Sequence, residues 1–178
     1  AWTGKNVNGE QIISEATRLV ETLQLVSPAV HEVSRDKEVV ILGRGFAYPN
    51  AREAALKVQE TCKISVQGVS TADYLHGPIS ALTADTQVFI VAPSHMPASS
   101  ITEATVKIRA TSSRIFWIGN GGTPEGADIV LAGSNCDDEI ASTIVDAIVL
   151  QRFALEFAVA SGYDPDAPVG LSKVTLTN

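Results

Sequence analysis

Residues Glu38–Cys62 read EVVILGRGFAYPNAREAALKVQETC, an apolar, β-branched run that ends in two glycines and passes into a segment of helical periodicity. Continuous apolar runs of this kind suit strands buried on both faces, as in a parallel sheet covered by helices. From Asn50 to Cys62, the small or apolar residues Ala51, Ala54, Ala55, Val58 and Cys62 share one helical face. Glu53, Lys57 and Glu60 stand at i, i+4 and i+7 on another. The first face can pack closely on something flat. The second sets carboxylates beside an ammonium, which can keep an acid ionised for use as a general base. Taken alone, the same three charges also describe ordinary surface pairs. Ligand sites in open α/β sheets gather at the carboxyl edge, and this helix starts there, so the stripe is expected to belong to a site at that edge.

The strand-then-helix pattern recurs outward from this stretch. On its N-terminal side, Ile12, Ile13, Ala16, Leu19, Val20, Leu23 and Val26 recur at helical spacing between Glu10 and Val33, interrupted by Ser27 and Pro28. They predict one lead-in helix or two. On its C-terminal side, Ile64 to Val69 reads as a short strand before STADYLHGP, where Pro78 starts or redirects a turn of helix. Thr86 to Val91 is the next buried strand. The loop PSHMPASS follows, then a helix from Ser100 to Ala110 capped by Ser99 or Ser100. Arg114 to Ile118 and Ala127 to Leu131 are two more strands, separated by GNGGTPEG, with Phe116 and Trp117 in the core. Asp137 to Ser161 predicts a long apolar helix with Asp137, Asp138 and Glu139 at its positive end. The closing GYDPDAPVGLSKVTLTN is punctuated by Pro and Gly and is expected to lie over the surface. The predicted architecture is a three-layer α/β/α sandwich around a parallel sheet. Its expected divisions are lead-in helices over 1–36, the sandwich over 37–162 and a tail over 163–178.

With 178 residues and 45% apolar content, the chain suits one globular domain with a real core. Thirteen basic against 20 acidic side chains leave a net charge of −7, a field that repels polyanions and argues against a nucleic-acid partner. Cys62 and Cys136 are too few and too dispersed for a disulfide framework or a zinc site, which points to a reducing cytoplasm. No apolar run approaches the roughly 20 residues of a membrane span, and the start AWTGKNVNGEQ has no signal-peptide pattern. The chain reads as soluble. Its first residue is not Met, which suits a piece of something longer.

His76 lies in LHGP, where Gly77 and Pro78 define the backbone after it and so hold its imidazole in place. A fixed imidazole suits proton transfer near neutral pH. A loop histidine bonded to backbone is the plain alternative. His31 and His95 lack such framing and read as structural or exposed. Lys173, close to the chain's last residue, reads by itself as a solvated lysine. Ser94, Ser99 and Ser100 stand before a helix start, where free N–H groups can hold an anion, although capping and loop solubility account for the same serines. GNGGTPEG lacks the spacing and the lysine of a phosphate-binding P-loop.

LGRGFAYPNAREAALKVQE over Leu42–Glu60, LHGP over Leu75–Pro78 and LSKVTLT over Leu171–Thr177 resemble, in order and spacing, the sugar isomerase (SIS) domain family. More narrowly, the wording is similar to the second SIS half of enzymes acting on amino-sugar phosphates. These are the isomerase part of glucosamine-6-phosphate synthase, which is a glutamine–fructose-6-phosphate aminotransferase, and the glucosamine-6-phosphate deaminases. ADYLHGP and SKVTLT incline toward the deaminases. The resemblance implies a flavodoxin-like fold and aldose–ketose interconversion through an enediol or enolamine, on a substrate such as glucosamine-6-phosphate or fructose-6-phosphate. It implies no cofactor and no metal. Glu60 takes the position of the glutamate that moves a proton between C1 and C2. His76 takes that of the histidine that assists ring opening, often donated by a neighbouring subunit. Lys173 falls where the tail lysine meets the open-chain carbonyl, and Lys57 where a helix lysine lies near the sugar. Glu53, Ser99 and Ser100 are secondary candidates for substrate contacts.

The family's phosphate loop, S-x-S-G-x-T, occurs nowhere in the chain, and PSHMPASS, where a duplicated copy would fall, lacks its glycine. The phosphate grip is therefore expected from a preceding SIS domain or a second chain, with a homodimer as the expected assembly. Two rivals remain. One is a sensing module that binds a sugar phosphate without turning it over. The other is a silent half that builds a dimer through the helix from Asp137 to Ser161.

Overall fold

The computed structural model describes residues 7–22, 24–94, 98–111, 113–121, 126–167 and 170, with backbone only at 98–101. Five parallel strands form one sheet: β1 Glu38–Gly43, β2 Val66–Ser70, β3 Thr86–Val91, β4 Arg114–Ile118 and β5 Ile129–Leu131, in the order β2-β1-β3-β4-β5. Among the described residues six α-helices accompany it: α1 Gly9–Glu21, α2 Ser27–Glu32, α3 Ala47–Cys62, α4 Thr71–Leu75, α5 Ala98–Arg109 and α6 Glu139–Ala160. The β1–α3–β2 connection moves one way across the sheet, and the connections through α4 and α5 move the other way. Right-handed crossovers therefore put α3 on one face and α4 and α5 on the opposite face. Helix α6 packs on α3, and α1 and α2 pack on α6. The expected sandwich is the observed one. No helix among the described residues is long and apolar enough to cross a membrane.

Strands β1 and β3 are buried almost throughout, as their unbroken apolar runs require. The ring of Phe89 stacks on Phe116 at 4.4 Å and meets Phe153 of α6 at 5.0 Å, joining sheet and helix in one core that also holds Trp117. Helix α3 buries Ala51, Ala54, Ala55, Val58 and Cys62, the face expected from the sequence. It lies close on the edge strand because Gly68 has no side chain: a Cβ there would stand 2.5 Å from the Ala51 carbonyl oxygen.

Several boundaries shift. Helix α3 begins at Ala47 rather than Asn50, taking Pro49 into its first turn, where a missing N–H breaks no helical bond. Pro28 likewise falls in the first turn of α2 and starts a second lead-in helix. Helix α5 begins at Ala98, so Ser99 and Ser100 lie inside its first turn and neither is the cap. A cap residue keeps non-helical angles, and these two are helical. Strand β5 is only three residues long.

A crossover helix must run antiparallel to the strands it joins. Helix α3 therefore leaves the carboxyl edge near Gly43 and finishes at the amino edge. There Gln59 Nε2 donates to the carbonyl of Val66, the first residue of β2, at 2.7 Å. Arg35, just ahead of β1, donates from Nη2 to the Cys62 carbonyl at 3.2 Å.

Candidate active site

The charged stripe of α3 is real, and its pairing is decided by reach. Lys57 Nζ donates to Glu60 Oε2 at 2.6 Å, while Glu53 contributes only its charge. The Glu60 carboxylate holds the Lys57 ammonium above the usual lysine range, against a smaller opposing effect of burial. Side-chain exposures of 37% for Lys57 and 29% for Glu60 leave the pair open to an incoming ligand. The stripe points away from the buried face of α3. Beside it, between α3 and strand β2, runs a groove of about 730 Å³ bordered by Glu53, Arg52, Gln59 and Tyr48. Neither the groove nor the place of Arg52, Gln59 and Tyr48 along it was visible in the sequence. Nothing in a linear pattern tells which polar positions border a gap left by an edge strand.

The expectation that the stripe serves a carboxyl-edge site is corrected for Glu60. Glu60 lies thirteen residues beyond Ala47, so the helical rise carries it about 20 Å from that edge. His76 lies at the other end. It is the C-cap of α4, which starts from Ser70 at the end of β2, level with Gly43. Its side chain is exposed. The carboxyl of Glu103 on α5 is held low by a hydrogen bond from Lys107, and Arg44 and His76 add to that effect, which locates His76 among carboxyl-edge groups. One chain therefore does not bring Glu60 and His76 together. Lys173, His95 and the side chains of Ser99 and Ser100 lie outside the described residues. His31 is exposed.

At the carboxyl edge the polar groups are turned inward. Ser94 is buried, with its N–H donating to Ser142 Oγ at 2.7 Å and its hydroxyl to the Ser134 carbonyl at 2.9 Å. Asp146 is fully buried; its Oδ1 accepts from the Ser134 N–H at 2.6 Å and its Oδ2 from Ser142 Oγ at 3.2 Å. Burial pushes the Asp146 carboxyl up to about 6, even though those hydrogen bonds favour its ionised form. Asn120 fastens the same loop through the Gly133 and Ser134 carbonyls, and Arg18 of α1 reaches the Gly133 carbonyl at 2.9 Å. Ser94 is therefore a structural member of this network. The signal that could have marked it is Asp146 itself, an acid set within the apolar run of 144–150 in α6.

A parallel sheet of this strand order, a half-open ion pair on α3 and the sequence wording now converge on a known family. The SIS domain family model matches residues 32–161. The chain belongs to the SIS domain family. A glutamine–fructose-6-phosphate aminotransferase (isomerizing) of Leifsonia xyli is 31% identical over 163 residues, covering 87% of this chain and 26% of that protein. The chain thus spans about a quarter of the length of the curated relatives it matches. Among solved structures, the C-terminal domain of glucosamine-fructose-6-phosphate aminotransferase from Francisella tularensis superposes with a TM-score of 0.77 at 19% identity. That match covers 87% of this chain and 44% of that one. A glucosamine-6-phosphate deaminase from Thermotoga maritima gives 0.68 at 21% identity, covering 93% and 50%. At such identities the two structures share the fold with this SIS domain.

Proposed function

We propose that this SIS domain is the second half of a phosphosugar aldose–ketose isomerase acting on an amino-sugar phosphate or its keto partner, such as glucosamine-6-phosphate or fructose-6-phosphate. The observation that carries the reading is the half-open Lys57–Glu60 pair at 2.6 Å on an outward stripe of α3. Glu60 as a carboxylate removes a proton from one of two adjacent carbons and returns it to the other, while the electron pair passes through an enediol or enolamine. Lys57 donates to that carboxylate at 2.6 Å and so holds it in position between turnovers. Lys173 meets the open-chain carbonyl, and His76 assists ring opening.

The separation of Glu60 from His76 supports a composite site in which the histidine comes from a second copy of the chain. The absence of S-x-S-G-x-T supports a phosphate grip supplied by a preceding SIS half or another chain. In this reading residues 1–36 lead in, 37–162 form the SIS unit and 163–178 form an active-site tail. The assembly is a cytoplasmic homodimer or a pair of SIS halves, without nucleic acid or membrane. The relatives matched at 31–32% identity bear the aminotransferase name, whereas the deaminase is a match of fold at 21%. That favours the aminotransferase type over the deaminase type toward which ADYLHGP and SKVTLT incline.

The deciding experiment is proton exchange at the substrate's C2 in the full-length protein carrying Glu60→Gln. Exchange is expected to fall by about 10²–10⁴ while substrate binding persists. Retained exchange removes Glu60 from the mechanism, and binding without turnover in the unaltered protein favours the sensing module.

A further inference from the structure

On the β1 side of the carboxyl edge, away from the network around Asp146, two basic side chains face outward: Arg44 and His76. Arg44 is the first residue after β1, and the backbone fixes it on both sides. Gly43 lets α3 turn back at once, since a Cβ there would stand 2.3 Å from the Ala47 carbonyl oxygen, and Gly45 takes the left-handed region at φ +58°. The Ala47 N–H then returns to the Arg44 carbonyl at 3.1 Å, and the Tyr48 N–H to the Gly45 carbonyl at 3.2 Å. The Arg44 side chain is left exposed, with no hydrogen bond or ion pair to any described residue. Glu139 Oε1 comes within 3.6 Å of the place a Gly45 Cβ would take, yet it forms no ion pair with Arg44.

Gly43 is level with Ser70 at the end of β2 and with Val91 at the end of β3. The strand order reverses between β1 and β3, so the crevice in which open α/β sheets collect ligands opens beside Arg44. The carboxyl of Glu103 feels the charges of both Arg44 and His76, which places the two in one neighbourhood. That carboxyl is itself held by Lys107 at 2.7 Å.

A guanidinium presents parallel N–H donors that match the oxygens of a phosphate. This chain has no S-x-S-G-x-T loop, so the phosphate of a sugar phosphate needs another partner. The covalent structure of a hexose 6-phosphate says where that partner stands, because the phosphate hangs from the carbon next to the one that bears the ring oxygen. Ring opening breaks the bond between the ring oxygen and the anomeric carbon; the ring oxygen takes up a proton as the anomeric hydroxyl gives one up. A histidine that serves this step at the ring oxygen is therefore close to the phosphate. Arg44 shares its edge and has its donors free, whereas Lys107 is taken by Glu103 and Lys57 by Glu60.

We infer that Arg44 is a substrate-binding residue, whose guanidinium takes the phosphate of the sugar on which His76 acts, both side chains entering the site of the second copy whose Glu60 moves the proton. The inference rests on the isomerase reading and its composite site, while affinity for phosphate itself can be read apart from turnover.

The test uses the full-length protein with Arg44→Ala and Arg44→Lys. The side chain bonds nothing in the described fold, so unfolding by denaturant is expected to be unchanged. Calorimetry reads the affinity for fructose-6-phosphate and for inorganic phosphate, and initial rates read kcat and KM. Losing a charge-assisted contact is expected to weaken both ligands roughly ten- to hundredfold in Arg44→Ala. KM rises with the same loss while kcat stays within about twofold. Arg44→Lys recovers part of the affinity, because it keeps the charge without the fork. Placement is read by mixing chains at low substrate. Arg44→Ala with Glu60→Gln brings an intact Arg44 and His76 to an intact Glu60, so activity above the sum of the parents is expected; Arg44→Ala with His76→Ala is expected to give none above that sum. Unaltered affinity for either ligand in Arg44→Ala overturns the proposal. So does any mixing pattern in which His76→Ala chains restore activity or Glu60→Gln chains do not. If the unaltered protein turns over no sugar phosphate, the isomerase reading fails, and affinity for inorganic phosphate alone decides for or against Arg44.

Discussion

The two ends of the sheet treat their polar side chains in opposite ways. At the carboxyl edge, Ser94, Ser134, Ser142 and Asp146 are buried and bonded to one another, and the loop around Gly133 is fastened from α1 by Arg18. Toward the amino edge, where α3 ends, Lys57 and Glu60 are only half-covered and bonded to each other, and Glu53 remains partly open. A buried polar network serves the fold, because each member satisfies a neighbour that water cannot reach. A half-open pair on an outward stripe costs the fold little and remains free to meet a ligand. The usual rule that ligands collect at the carboxyl edge does not lead to the carboxylate proposed here as the base.

The largest expected effect separates the ends directly. Mixing Glu60→Gln chains with His76→Ala chains, each inactive alone by about 10²-fold or more, tests whether one site draws its two groups from two copies. Random pairing leaves one intact site in half of the dimers, so recovery to roughly a quarter of the unaltered activity is expected. A mixture as inactive as its parents shows that both groups act within one chain.

Gly133→Ala strikes the other end. Its Cβ would stand 2.6 Å from Asp146 Oδ1 and 2.7 Å from the Cα of Gly119, so the loop or the network must give way. A loss of about 2–4 kcal/mol in stability is expected from denaturant unfolding. A change within the noise would show that the carboxyl edge is softer than its hydrogen bonds imply.

Asp146 gives that edge a pH dependence of definite sign. Its folded-state pKa of about 6 lies above the ordinary 3.8, so between those values the folded form binds a proton that the unfolded chain does not. This group's contribution to stability is therefore greatest at acid pH and falls as pH rises through about 6, by up to about 3 kcal/mol. Glu15, held low by Arg18, acts in the opposite sense. The measurement is thus the difference between the unaltered protein and Asp146→Asn across pH 4 to 7 (about the interval the two pKa values span). A flat difference removes the penalty from Asp146.

The smallest stability effect belongs to Lys57→Met. Because the pair is more than a quarter exposed on both sides, its loss is expected to cost less than about 1 kcal/mol of stability while turnover falls. A large destabilisation with turnover intact would erase the contrast between the ends.

Much of the fold was legible in the linear pattern. The unbroken runs of β1 and β3 announce strands covered on both faces, and the small-residue face of α3 announces its packing, since both periodicities are local properties of the backbone. The charged stripe was legible for the same reason. Local pattern also proposed a cap at Ser99 or Ser100, where the helix in fact starts earlier, at Ala98. Asp146 left a trace as an acid within the apolar run of 144–150, but Ser134, which bonds it, and Ser94, which bonds Ser134, come from separate loops. The hydrogen bond from Arg35 to the Tyr163 hydroxyl, across 128 positions, left none.

The sequence by itself determined the alternation of strands and helices, the inward face of α3 and the grouping of Glu53, Lys57 and Glu60, because spacing along a helix sets which side chains share a face. Only the tertiary structure decided that Lys57 bonds Glu60 rather than Glu53. It also decided that Glu60 and His76 stand at opposite edges of one sheet. Each of these depends on how a crossover reverses the chain and on which distant segments meet when the core closes.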